Sequence, residues 1–368
     1  MPLTWPQVLS WRQHRHFLDH TGTPGAVEVA RRLVGVQAQV MSSAEQAVAA
    51  RTATPVPDAL AAGLAAGELI RTWAMRGTLH VLPVAEAVDV LALLAAARTW
   101  ERGSWQKTFL TVDQVAAISD AAVAALAGGP LTRDELADAI VASTGDADLG
   151  EHLRSGWGAV LKPLAWQGLL CQAGSVGGRV TFARPDLQVP GWPGLPDAED
   201  AGPRVVECYL GAYGPVAEAG FDAWLLRGST PKKVLRGWFA ELVASGRAVK
   251  VEVDGESLYA RAEDVDALER ARPSDAVRLL PAFDPWVLGP GTADPHLLDP
   301  ARRSEVSRAA GWIAPVVLVG GRIAGTWDVQ DAVVGVALFA EAPPVDDEVV
   351  AAEAAHLAPG LPVRVTRT

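Results

Sequence analysis

The sequence predicts a mainly α-helical fold with β-hairpin wings (α+β), organised as tandem winged-helix, or helix-turn-helix, units with a C-terminal α+β appendage. Three observations carry that expectation. Apolar residues recur at helical spacing in consecutive groups, and each group is followed by two short strand-like runs around a glycine-containing turn. That order returns along the chain, as the winged-helix plan requires. Beyond residue 276 β-branched runs take over, hinged on Gly320-Gly321.

The first unit spans residues 1–130. Helices are expected over 6–19, 24–33, 43–51 and 57–66, then strands 69–74 and 78–82 turning at Met75-Arg76-Gly77, with Pro83 opening a long Ala/Leu-rich helix. The second unit, 131–200, starts with Thr132 as N-cap and Glu135 three positions on. This is a capping box, in which hydroxyl and carboxylate each satisfy an orphan helix N–H. Trp157, Val160, Leu161 and Leu164 then follow at helical spacing, and strands over 169–173 and 179–183 flank a glycine-rich tip, 174–178. A proline-rich link, 185–203, leads to the third unit, 203–275. Its helices are expected over 205–210, 216–225 and 231–243, with Thr230 capping the last and Pro231 in its first turn, where a missing N–H is harmless. A hairpin with an Asp254-Gly255 turn follows. The appendage, 276–368, has expected strands over 278–280, 313–319, 322–327 and 333–339 and a helix over 346–357.

Composition narrows the function classes. Hydrophobic content of 49% beside 20% charged residues suits a globular chain with a large core, and 368 residues imply more than one domain. No apolar run reaches the roughly 18 residues a membrane span needs. The first residues lack a basic-then-apolar leader, so a cytoplasmic protein with no membrane partner is expected. Cys171 and Cys208 are too few for a disulfide framework or a zinc site. Of His14, His16 and His20 only the last two share a helix face, with no acidic or cysteine cluster beside them, so neither metal nor cofactor is expected. Net charge is −11, yet residues 1–130 balance ten bases against ten acids, while 251–368 hold ten against nineteen. Total charge therefore neither requires nor excludes nucleic acid.

Gln37-Ala38-Gln39 is the candidate reactive motif. Gly35 is placed to end the preceding helix, and Ser42 and Ser43, with Glu45 and Gln46 three residues further on, offer overlapping capping boxes for the next. Residues 37–41 then form a connection. In an extended stretch residues two apart face the same side, so both amides can reach one point. Arg76 at the hairpin turn and His80 on the same hairpin are candidate DNA-groove contacts. Lys232, Lys233 and Arg236 fall on the third unit's recognition-type helix, where phosphates would be met; the alternative for these cations is a solvated face.

Taken with Arg71-Thr-Trp-Ala-Met-Arg-Gly-Thr-Leu-His80, Leu280-Pro-Ala-Phe-Asp-Pro285 and Ala310-Gly-Trp-Ile-Ala-Pro315, the paired glutamines resemble the bacterial winged-helix DNA glycosylases. That family includes the AlkZ-like enzymes of azinomycin resistance and interstrand-crosslink removal. The likeness runs over nearly the whole chain. It implies winged helices around a DNA-binding cleft, a double-stranded DNA partner carrying alkylated guanine with no obligate protein partner, and Gln37 and Gln39 as the catalytic pair that positions water and stabilises the sugar. Some relatives carry aspartate at the second position; Gln39 resembles the crosslink-resistance branch.

The implied chemistry suits neutral groups. Alkylation at N7 makes guanine cationic, so the base can leave without a protonating acid. What remains is to hold a water at C1′ and to tolerate positive charge on the sugar, which a glutamine carbonyl dipole can do while its NH₂ holds a neighbouring oxygen. The first lysine is Lys107, so no amine lies near the motif in sequence to form a Schiff base, and a monofunctional glycosylase is expected. Two rival readings remain: a non-catalytic winged-helix transcriptional regulator, and a protein that sequesters the alkylating agent itself.

Overall fold

The computed structural model describes residues 3–19, 22–155 and 158–368; Trp157 and His20 lie outside them. The chain forms two compact units, Met1–Ala61 with Val206–Thr368, and Ala62–Val205. This groups the chain differently from divisions near 130, 200 and 275. The cause is packing between segments far apart in sequence. Leu9, Leu18 and Ala50 share one core with Leu280, Phe283, Trp286, Val316 and Phe339. Trp5, Val8 and Trp11 share another with Val253, Leu258 and Leu268.

At the centre of the first unit lies an ion pair with no exposure on either side, Arg51 with Asp284. The guanidinium fork meets the carboxylate at 2.8 and 2.7 Å, and Asp284 also accepts the Trp286 N–H at 2.8 Å as the cap of Pro285–Leu288. Tyr213 packs so closely on Gly289 that a Cβ there would sit 2.0 Å from its ring, so only glycine fits.

The C-terminal part is a five-stranded sheet ordered Val363–Arg367, Val333–Leu338, Arg322–Gln330, Val316–Val319, Val277–Leu280. Its Gly320-Gly321 turn takes the two positive φ values (58° and 83°) that a tight hairpin needs. The strand Val363–Arg367, which pairs in parallel with Val333–Leu338, lies beyond the elements expected of the appendage, because its alternating basic residues resemble a solvated tail. Helix Asp347–Leu357 contributes Val350 and Ala354 to the core beneath this sheet.

The first unit also holds helices Glu218–Leu226 and Lys232–Ala244, the hairpin Ala248–Val253 with Glu256–Arg261, and a bridge from Val216 to Tyr259. Thr230 is not the cap expected of it. Pro231 holds that position, and the Thr230 N–H is taken by Asp222 at 3.0 Å. The hairpin's turn is pinned. Leu3 bridges to Val253, the Trp5 N–H donates to Asp254, and His296 stacks on Trp5 at 3.8 Å while meeting Glu256 at 2.9 Å.

In the second unit, strands Leu79–Pro83, Leu69–Trp73, Cys171–Val176, Arg179–Ala183 and Leu131–Thr132 lie side by side in that order, all antiparallel. Two hairpins expected to stand as separate wings are therefore joined into one sheet. The Thr132–Glu135 capping box forms as expected, with the Thr132 N–H donating to Glu135 at 2.8 Å. Helix formation after Gly158 begins only at Lys162, ending at Trp166. Gly158 has φ 59° and lies flat against Trp73, where any Cβ would clash at 2.5 Å, and this interrupts the helical spacing read from Val160 and Leu161. No helix among the described residues is long and apolar enough to cross a membrane.

Arg51→Met, which leaves the Asp284 carboxylate buried without its partner, is expected to lower unfolding stability by about 3–5 kcal/mol. Denaturant titration checks this, and a midpoint like that of the unaltered chain would contradict it.

Candidate DNA-processing site

The glutamine pair sits where one helix is stopped abruptly and the next begins without a side-chain cap. Helix Ala26–Arg32 closes with the Val34 N–H on Arg31 O at 3.1 Å and the Gly35 N–H on Ala30 O at 2.7 Å, the two bonds of a Schellman motif. Val34 itself takes the left-handed conformation (φ 54°), ahead of Gly35 (φ 96°). The chain then runs as a short strand, Val36–Gln37, and helix Met41–Ala49 starts after only Ala38, Gln39 and Val40. Gln37 and Gln39 thus lie outside helix, as the terminator at Gly35 predicts.

The start of that helix differs from expectation. Val40, extended at φ −114° and ψ 107°, is the N-cap, and Ser42 and Ser43 lie inside the first turn, so neither serine capping box forms. Glu45 serves another element: its carboxylate accepts the Leu60 and Ala61 N–H groups at 3.2 and 3.1 Å, capping the helix Ala59–Ala65. The nearest acid in sequence is therefore committed to structure.

The two amides are placed unequally. Gln37 is 6% exposed, Ala38 is fully buried and Gln39 is exposed. One carboxamide is enclosed, where its dipole is weakly screened, and the other is presented to solvent. The chain has the same order of elements in two other places, and there the connection is shorter. Leu131–Thr132 runs directly into Arg133–Thr144, and the Val216 bridge is followed by Ala217 and then Glu218–Leu226. The Gln-bearing copy has the extra length.

Arg76 and His80 lie on one hairpin but in different settings. Met75 is 1% exposed, and Arg76 is half-buried with φ 57°. The turn is thus embedded at its first residue, with Arg76 partly accessible beside it. Lys162, which nothing in the sequence singled out, reaches the same turn, since a Cβ on Gly77 would lie 3.7 Å from its ammonium. His80 is 3% exposed and its Nδ1 pairs with Thr78 O at 3.0 Å. Burial, with the Arg76 charge second, pushes its pKa down to about 3, so it stays neutral at ordinary pH. A buried neutral imidazole is suited to hold the hairpin.

Lys232, Lys233 and Arg236 are all exposed, on the face of Lys232–Ala244 opposite Leu235, Trp238 and Phe239. Their apolar neighbours fill the core and leave the cations outward, as helical periodicity predicts. In the other unit Arg154, at the end of helix Leu149–Arg154, pairs with Asp134 and Asp138. Among the described residues no group of three or more His, Cys, Asp or Glu could hold a metal ion.

Comparison with known proteins bears on this geometry. A family model described as DNA glycosylase AlkZ-like matches residues 30–359. A curated relative named interstrand DNA cross-link repair glycosylase, from Streptomyces sahachiroi, is 42% identical over 372 residues, covering 99% of this chain and 100% of the relative. The solved structure of Streptomyces sahachiroi DNA glycosylase AlkZ superimposes with a TM-score of 0.95 at 41% identity, covering 100% of both chains.

The histidines set an expected acid limit. His80 has a folded pKa below its unfolded value of 6.5, and burial with the Arg51 charge holds His16 well below that value too. The unfolded chain therefore binds protons that the native state refuses. For His80, stability present above pH 6.5 falls as pH drops toward about 3, by up to about 1.4 kcal/mol per pH unit, and His16 adds a loss of the same sign below pH 6.5. Urea midpoints measured across this range should show the slope, and His80→Phe should flatten it; an unchanged slope in that variant would contradict the assignment.

Proposed function

Since the chain belongs to the AlkZ-like DNA glycosylase family, we propose that it hydrolyses the N-glycosidic bond of N7-alkylated guanine in duplex DNA, including bulky adducts and interstrand crosslinks. The observation that carries this reading is the Gln37-Ala38-Gln39 connection, outside any helix and ahead of an uncapped helix start. The thrice-repeated order of helices and hairpin is read as three winged helices, in residues 1–130, 131–200 and 203–275, with 276–368 as an appendage. Duplex DNA is the partner.

In the proposed step a water oxygen forms a bond to C1′ as the C1′–N9 bond breaks. The bonding pair moves to N9 and cancels the charge that alkylation placed on the base, and the water's proton passes to solvent. A glutamine carbonyl oxygen accepts from the water and faces the cationic sugar. No acid is needed at the leaving group, in keeping with a Glu45 carboxylate already bound to backbone N–H groups. Water, in place of a lysine amine, is the nucleophile, which makes the enzyme monofunctional. A crosslinked base is tethered to the opposite strand and cannot swing fully out, so the reaction takes place on a nucleotide that is at most partly extruded.

Gln37→Ala and Gln39→Ala should each bind DNA as the unaltered chain does and lose most base release. Free N7-alkylguanine appearing at an unchanged rate from the double variant would remove the assignment. Replacing Lys232, Lys233 and Arg236 together by alanine should weaken DNA binding and flatten its salt dependence, with log K against log salt losing about 0.9 per phosphate contact removed. An unaltered salt slope would make that helix face merely solvated.

A further inference from the structure

Helix Met41–Ala49 follows the glutamines directly, and it is tied at both ends to one distant segment. At its start Val40, the N-cap, packs against the cluster containing Leu280, Ala282, Phe283 and Trp286. At its end Ala50 enters the same cluster, and Arg51 donates to Ala47 O at 2.7 Å and to Asp284 at 2.8 and 2.7 Å. No side chain caps the helix start, so the packing of Val40 at that N-cap position bears on where the helix begins. A slip of one residue in that start would swing Gln39 by about 100° around the helix axis.

A buried ion pair is in general weak support for stability, because desolvation offsets most of the attraction. A bidentate fork does, however, fix distance and orientation more strictly than apolar contact. We infer that Arg51, Asp284 and Val40 are positioning residues for the glutamine pair, holding the connection 37–40 in the one register that presents the Gln39 amide. They act through the helix and touch neither DNA nor the reacting atoms. The inference rests on the proposed glycosylase reading.

The test uses the full chain with Arg51→Met combined with Asp284→Asn, a pair that removes both charges while the asparagine oxygen can still cap Trp286. Val40→Ala is the second variant. Four quantities are read: single-turnover base release from duplex holding N7-methylguanine, DNA affinity, urea midpoint, and amide hydrogen exchange over 36–41. The expected result is unchanged DNA affinity, release slowed about tenfold to a hundredfold, and faster exchange over 36–41 in both variants. Arg51→Lys, with a point charge for the fork, should fall between. Release and exchange at the level of the unaltered chain, in whichever variant folds, would overturn the inference. Absence of base release from the unaltered chain would instead sink the glycosylase reading, and the exchange measurement would still decide whether these residues hold the connection.

Discussion

The buried pairing of Arg51 with Asp284 is the constraint on which the first unit depends. The two residues are 233 positions apart, and neither has any exposure. A charge so enclosed tolerates no solvent substitute, so the segment around Pro285 and the helix ending at Ala49 have one relative placement or none. The apolar residues about it, Ala50, Phe283, Trp286 and Val306, fill space around that fixed point. The unit is therefore assembled from both ends of the chain, and the connection carrying Gln37 and Gln39 is held by residues from the far end.

The same order of strand and helix occurs three times, but only one copy has length to spare between them. In the copy that opens with Leu131–Thr132 the strand leads straight into a helix capped by the Thr132 hydroxyl, which leaves no free residue there. In the first copy Ala38, Gln39 and Val40 intervene, and the helix start is left without a side-chain cap. A structural element used for scaffolding elsewhere thereby presents carboxamides. Their neutrality matters. A carboxylate in the enclosed position of Gln37 would incur a desolvation penalty, whereas an amide retains its dipole at little expense.

Much of this was legible in the sequence, for physical reasons that can be named. Asp254-Gly255 and Gly320-Gly321 are turns because their left-handed geometry selects those residues, and the structure gives both pairs positive φ. Thr132 with Glu135 is a self-contained cap. The break before Gln37 followed from Gly35, although Val34 shares the left-handed turn with it. What could not be read depended on distant partners. Ser42 and Ser43 have all the local marks of caps, yet Val40 is the N-cap, and its side chain packs on a core assembled from both ends of the chain. The burial of His80, the reach of Lys162 to the Met75–Gly77 turn and the grouping of residues 1–61 with 206–368 are likewise tertiary facts. No local pattern encodes them.

The central claim is that two uncharged amides suffice because the leaving base is already cationic. A pH–rate profile for single-turnover release of N7-methylguanine, between about pH 6.5 and 9, tests it most directly, since the acid-labile histidines stay neutral throughout. A carboxamide does not titrate there, so the account predicts a flat profile. A rate changing about tenfold per pH unit, or a bell-shaped curve, would reveal an essential acid or base and contradict it.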